Sequence, residues 1–185
     1  PDMPFTGREL GKKILEEEKI TNVSINPIQQ LDHYNPKEKK IHIATDKLDK
    51  KSITSIAVVA HEIGHAIQDK EKYKPLILRQ SLIEKTMIFQ RIGSFLLIIG
   101  LPSIFAFTKS PFITLIAAII IMGCLSTNVL IHLITLPVEF DASFKRALPI
   151  LKRYVPKENM YQCKSVLRAA ALTYLAQSII SLSLI

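Results

Sequence analysis

The chain has 185 residues, of which 48% are hydrophobic and 22% are charged, and its formal net charge is +8. This length fits one domain, or one small domain with a membrane part. The basic charge is compatible with nucleic-acid binding, but no basic–aromatic interleaving or known binding module accompanies it, so we expect no nucleic-acid partner. The two cysteines indicate neither a disulfide framework nor a metal-ligand spacing.

The first fifty residues are charged and predict one helix and two strands. A capping box at Thr6 and Glu9 predicts a helix that ends near residue 18. Alternating apolar residues predict strands at Asn22–Ile28 and Lys40–Thr45. The segment between them, Asp32–Lys40, contains turn-forming residues and is expected to be a loop.

The most informative segment reads His-Glu-Ile-Gly-His over residues 61–65, with apolar neighbours on both sides. We expect a buried helix that ends near Lys70. Because positions i and i+4 share one helix face, His61 and His65 can offer two imidazoles to one metal ion. Glu62 can reach a bound water as general base. A helix with two solvated histidines fits the apolar flanks poorly, so the segment predicts one zinc ion per chain.

A catalytic zinc site needs a third protein ligand and an open position. Glu139 is favoured because a carboxylate among apolar neighbours, just after a long apolar run, needs a compensating partner. A solvated charge at a helix end is the competing interpretation. Asp141 points away from Glu139 on a helix and is expected to support the site or to cap the helix. The other candidates are His33, His42 and His132; the first two are expected to be ordinary strand or surface residues.

Polar residues in and after the second apolar run are further candidates. Asn128, His132 and Glu139 share a stripe of one helix. Asn128 and His132 either line the approach to the metal or bond to neighbouring helices, and the sequence leaves both interpretations open. His132 and Arg146 are candidate donors to the oxyanion that develops during peptide hydrolysis.

Charge nearly vanishes between residues 87 and 136, where two apolar runs occur. Ile92–Phe107 and Phe112–Leu136 flank a short polar break and predict a transmembrane helical hairpin, although an unusually apolar soluble hairpin is the alternative. The second run is long enough to cross the bilayer, and the first is marginal unless Met87–Gln90 joins it. Basic residues crowd both flanks, and a hairpin returns the chain to its starting side, so the positive-inside rule places this side in the cytoplasm. Ser165–Ile185 predicts a third apolar helix that either spans the membrane or lies at its surface.

These patterns predict a mainly α-helical α+β fold with a zincin-like motif helix and a small β-sheet. Residues 1–86 form the cytoplasmic-side part that carries the motif helix. Residues 87–136 form the transmembrane hairpin. Residues 137–185 supply the third-ligand helix and a C-terminal apolar helix that complete the site.

Five segments of the chain match a known family pattern, namely Thr6-Gly7, Leu31–Pro36, Ala60–Gln68, Thr135–Ser143 and Leu167–Tyr174. In these segments the sequence resembles the YugP-type membrane zinc metallopeptidases of bacteria, a gluzincin-like family. The resemblance implies His61, His65 and Glu139 as zinc ligands and Glu62 as the catalytic residue. It also implies a further membrane helix before the first residue of this chain. Two departures occur: Asn35 stands where the family commonly has Asp, and Asp141 where it commonly has Asn.

We therefore expect a membrane-embedded zinc-dependent endopeptidase of the bacterial plasma membrane, with its active site on the cytoplasmic side. Its substrates are expected to be membrane or membrane-proximal proteins. If Lys40–Thr45 is an edge strand, an extended substrate can pair its backbone with it. Two other classes remain open: a non-catalytic zinc-binding scaffold or interaction protein, and a membrane structural protein whose motif is accidental. No pattern indicates an oligomeric state.

Overall fold

A computed structural model of the chain describes residues 3–29, 31–125 and 127–183. This part of the protein is mainly helical, with one small three-stranded sheet. Its helices and strands follow in the order α1 (Gly7–Glu17), β1 (Ser24–Ile28), β2 (His33–Asn35), β3 (Lys40–Ala44), α2 (Thr45–Leu48), α3 (Ile53–Lys70), α4 (Lys74–Phe95), α5 (Leu101–Thr108), α6 (Pro111–Leu125), α7 (Thr127–Phe140), α8 (Leu148–Tyr154) and α9 (Met160–Ser183).

The sheet has the strand order β1-β3-β2, with β3 parallel to β1 and antiparallel to β2. Both predicted strands are present, and β2 is an additional strand in the segment expected to be a loop. Ile41 and Ile43 of β3 are fully buried, so the inward face of the central strand joins the core. Because β3 is paired on both sides, the idea that Lys40–Thr45 forms an edge open to a substrate strand is wrong.

Helix α1 begins with the predicted capping box. The Glu9 backbone N–H donates to Thr6 Oγ1 at 3.2 Å, and the Thr6 N–H donates to Glu9 Oε2 at 2.8 Å. Leu10 and Ile14 of α1 are buried in the main core, which α1 forms together with α3 and the sheet. The capping box therefore defines where α1 begins, and its apolar stripe packs the same helix against the core.

Helix α3 is the centre of the fold and carries the His-Glu motif. It begins at the N-cap Ser52, whose hydroxyl accepts the Ser55 N–H at 3.2 Å, and it ends at Lys70 as predicted. Fourteen of its 18 residues are buried, because α1, α9 and the sheet pack around it. The charged residues of the motif are therefore held inside the protein rather than on its surface.

Two π-helical segments, Leu96–Gly100 and Asp141–Ala147, interrupt the long helices. Each ends two residues before a proline, Pro102 and Pro149 respectively. A proline in a helix lacks the N–H donor and its ring crowds the carbonyl four residues earlier. Widening the preceding turn to the i→i+5 pattern relieves that crowding, so the prolines account for the positions of both segments.

One helical stretch among the described residues, Lys74–Thr108, is long and apolar enough to cross a membrane. It runs through α4, the first π-helical segment and α5 without a break, so Met87–Gln90 does join the first apolar run. Its apolar side chains are largely exposed; Ile98, for example, is 73% exposed. The second apolar run contains α6 and the start of α7, and residue 126 between them lies outside the described part. Helix α4 packs against both α6 and α7.

Helix α3 and the second π-helical segment approach each other so closely that only glycine fits at position 64. A Cβ atom there would lie 2.6 Å from the carbonyl oxygen of Ala142 and 3.2 Å from its Cα. Because these atoms belong to the backbone, they cannot move aside as a flexible side chain would. Gly64 therefore sets the distance between the motif helix and the segment that follows Glu139.

We expect Gly64→Ala to lower the stability of the protein by about 1–3 kcal/mol, as overpacking of a tight contact does. The measurement is thermal unfolding of the detergent-solubilised chain. Gly123→Ala is the matched control, because a Cβ at Gly123 of α6 meets nothing within 4 Å. A Gly64→Ala variant that melts no lower than the parent would contradict the proposed contact.

Candidate metal centre

Three buried side chains from two helices converge on one point. His61 and His65 lie one turn apart on α3, and Glu139 lies near the end of α7. The Nε2 atoms of both histidines are 3.1 Å from the same oxygen, Oε2 of Glu139. The three residues are 3%, 6% and 0% exposed, respectively. The structure thus brings together the three residues that the sequence had indicated as ligands.

The hydrogen bonds of Ser143 select one tautomer of neutral His61. The hydroxyl of Ser143 donates to the carbonyl oxygen of Leu167 at 3.1 Å, so its remaining role toward His61 Nδ1, at 2.9 Å, is that of acceptor. Nδ1 of His61 therefore carries the proton, and Nε2 presents a lone pair toward Glu139.

The same argument applies to His65. The side-chain NH₂ of Gln68 donates to the Val138 carbonyl at 2.9 Å and to Oδ2 of Asp141 at 2.8 Å. Its oxygen Oε1 then faces Nδ1 of His65 at 3.0 Å as an acceptor. His65 therefore also presents the Nε2 lone pair to the centre of the cluster.

This arrangement of donor atoms fits a zinc ion. Two imidazole lone pairs and a carboxylate oxygen face one another without a proton between them, which is unfavourable unless a cation lies among them. Two histidines and one glutamate form a ligand set found in catalytic zinc sites. Tetrahedral zinc separates its ligand atoms by roughly 3.3 Å; each histidine nitrogen lies 3.1 Å from Glu139 Oε2, and all three ligand atoms lie within 4.8 Å of one another. His61, His65 and Glu139 are thus suited to hold the metal.

A chain of polar contacts supports the ligands from behind. Asp141 is buried and accepts hydrogen bonds from Gln68 and, at 3.1 Å, from Nε of Arg146. Arg146 also contacts Glu71, which caps the C-terminal end of α3. The structure therefore places Asp141 and Arg146 on the far side of Gln68 and His65, where they hold the π-helical segment against α3.

Glu62 lies beside the cluster in a buried position. Burial raises the pKa of its carboxyl group to about 7; the charges of Glu139 and Asp32 add to the increase, while His61 and a backbone hydrogen bond from Tyr34 oppose it. A carboxyl group whose pKa is close to neutral can both take up and release a proton near pH 7. Glu62 is therefore suited to general acid–base chemistry.

Glu139 is ionised despite its complete burial. Burial by itself would raise the pKa of this carboxyl group; positive charge beside Oε2, carried by protonated His65 and His61 or by a cation in their place, lowers it well below its usual range. Nη1 of Arg79, on α4, lies 3.3 Å from its second oxygen, Oε1. In the sequence, Arg79 is one of the several basic residues on the flanks of the apolar runs.

A cavity of about 1110 Å³ opens beside Glu62 and His61. The β1–β2 connection and the start of α2 form one wall, and α9 forms the other. Residues from these walls include Leu31, Asp32, Lys47, Ala169 and Thr173, and Val58 of α3 lines the cavity between them. The cluster is therefore buried but borders a space large enough for part of another molecule.

The remaining candidates lie elsewhere or outside the described side chains. His33 and His42 stack on each other across β2 and β3, with ring centroids 4.8 Å apart, and only His33 borders the cavity. The backbone of Asn128 and His132 belongs to α7, but their side chains fall outside the part of the structure that is described. The two interpretations of Asn128 and His132, lining the approach to the metal or bonding to neighbouring helices, therefore stay predictions.

Comparison with known proteins identifies the family of the chain. The family described as "Putative neutral zinc metallopeptidase" matches residues 1–185. The chain belongs to this zinc metallopeptidase family. It is also 31% identical over 180 residues to a protein named "Putative membrane protease YugP" from Bacillus subtilis (strain 168), an alignment that covers 96% of this chain and 76% of the relative. No solved structure matches the chain. The resemblance to YugP-type proteins is thereby confirmed.

We expect the purified chain to bind one zinc ion, and His61→Ala and Glu139→Ala to abolish stoichiometric binding because each removes one of the three ligands. Gln68→Ala should weaken zinc binding about 10–100-fold, since a group that orients a ligand is lost. Mass spectrometry measures the zinc content of each variant, and chelator competition measures its zinc affinity.

His42→Ala is the control, because this histidine lies on the sheet and not among the converging ligands. Zinc retained by Glu139→Ala would move the third ligand elsewhere, with Asp141 the next residue to replace.

Proposed function

We propose that this protein is a membrane-embedded zinc-dependent endopeptidase that cleaves membrane or membrane-proximal proteins. The observation that carries this proposal is the meeting of His61, His65 and Glu139, with Glu62 beside them at the edge of a large cavity. The family supports zinc and peptidase chemistry, and the name of the Bacillus relative supports a membrane protease. A zinc-binding scaffold would not require the buried Glu62.

Zinc, when bound, supplies a water of lowered pKa and polarises the scissile carbonyl. Glu62 takes the proton from the attacking water and returns it to the leaving amine. The Nδ1 hydrogen bonds to Ser143 and Gln68 keep both ligating imidazoles oriented with Nε2 toward the centre. The apolar helices around α3 exclude bulk water, which strengthens each of these electrostatic interactions.

The cavity supports a polypeptide substrate. It lies between the sheet side of the protein and α9, and Glu62 and His61 line it together with apolar and charged side chains. A volume of about 1110 Å³ exceeds the usual range for small-molecule sites and admits several residues of a substrate chain. We therefore assign it as the substrate cleft.

The membrane helices indicate where the substrates are found. Lys74–Thr108 begins close to the metal centre, since Arg79 on this stretch contacts Glu139. We propose that residues 87–136 form a transmembrane hairpin, that residues 1–86 and 137–185 form the catalytic part around it, and that this part faces the cytoplasm. The basic residues on both flanks of the hairpin support that orientation by the positive-inside rule.

We expect Glu62→Gln to reduce peptide hydrolysis about 10²–10⁴-fold while zinc remains bound, because the base is lost but the ligands are not. The assay measures cleavage of fluorescently labelled casein by the zinc-loaded chain in detergent. Glu16→Gln, an exposed change on α1, is the control and should cleave at the parental rate. Equal rates for Glu62→Gln and the parent would favour the scaffold interpretation.

We also expect opposite labelling of two single-cysteine variants made in a background without the native cysteines. Lys109→Cys lies between α5 and α6, at the far end of the proposed hairpin, and Lys157→Cys lies between α8 and α9. Because a membrane-impermeant maleimide reaches only the outer face of intact cells, it should label Lys109→Cys and leave Lys157→Cys unlabelled until the cells are opened. The reverse pattern would invert the orientation, and labelling of both would contradict the hairpin.

A further inference from the structure

The carboxylate of Glu139 lies in a place where water does not compensate its charge. Its side chain is fully buried, and Oε2 faces imidazole nitrogens that carry lone pairs rather than protons. A buried charge of this kind is stable only if a positive group compensates it. Among the described residues, Arg79 supplies such a group, with Nη1 at 3.3 Å from Oε1.

The ion pair connects two different helices. Arg79 lies near the start of α4 and Glu139 near the end of α7, and the two helices pack against each other. The Arg79 side chain is only 16% exposed, so solvent screens this pair far less than a surface salt bridge. The packing of α4 against α7 therefore determines where the Arg79 guanidinium lies relative to Glu139.

The two oxygens of Glu139 have separate partners. Oε1 faces the guanidinium of Arg79, and Oε2 faces both histidines. A carboxylate that bound a metal through both oxygens would occupy the coordination position that hydrolysis needs for water and substrate. The contact between Nη1 and Oε1 is an ion pair without a hydrogen bond, and its attraction draws Oε1 toward Arg79 while Oε2 remains the ligand.

We propose that Arg79 is a positioning residue of the metal centre, which holds Glu139 so that Oε2 alone is presented between His61 and His65. This inference rests on the proposed function in that it takes zinc as the metal. It assigns the beginning of the membrane helix α4 a direct part in building the site.

The test compares Arg79→Gln, Arg79→Lys and the control Arg91→Gln in the full chain in detergent. Arg91 lies on the same helix and is exposed. Zinc affinity is measured by chelator competition, and coordination by the visible absorption of the cobalt(II)-substituted protein. Arg79→Gln should bind zinc about 10–100-fold more weakly than the parent. Its cobalt bands should weaken, as they do when a four-coordinate ion gains a further ligand.

Arg79→Lys keeps the charge and should recover part of the affinity, with a cobalt spectrum between those of the parent and Arg79→Gln. Thermal unfolding shows whether Arg79→Gln is folded. If it is not, the zinc affinity and cobalt spectrum of Arg79→Lys decide the test. Parental affinity and a parental spectrum in the folded Arg79 variants, or an equal loss in Arg91→Gln, would overturn the inference while leaving the zinc site in place. Absence of zinc from the parent itself would overturn the proposed function and this inference together.

Discussion

The buried negative charge of Glu139 is the constraint on which the rest of the structure depends. The motif helix α3 brings two imidazoles to one of its oxygens, and Arg79 of α4 faces the other. Burying the carboxylate without these partners would cost a large desolvation free energy. The fold therefore brings α3, α4 and α7 to one point. The helix arrangement can therefore be tested at this centre.

The close packing of α3 on the second π-helical segment follows from the same requirement. Ser143, in that segment, must reach His61, and Gln68 must reach both His65 and Asp141. Gly64 permits the approach because it has no Cβ, and Pro149 widens the turn that supplies Ser143. Small features of the backbone thus determine the distances between the polar groups of the site.

Local signals in the sequence were sufficient for the capping box, the motif helix and the paired histidines, since each depends on residues within a few positions of one another. Glu139 could also be predicted, because an acidic residue among apolar neighbours needs a partner. Strand β2 has only three residues, too few for an alternating pattern, and its pairing with β3 is a tertiary contact. Arg79 could not be distinguished from other basic residues near the apolar runs, because its role depends on how α4 packs against α7.

The separation of the ligands along the chain has a consequence for biogenesis. His61 and Glu139 are 78 positions apart, and the two apolar runs of residues 87–136 are synthesised between them. A ribosome-bound chain therefore contains the paired histidines and Glu62 well before the third proposed ligand exists. The proposed peptidase would therefore stay inert during its own synthesis, because its metal site is complete only after α7 has packed against α3 and α4.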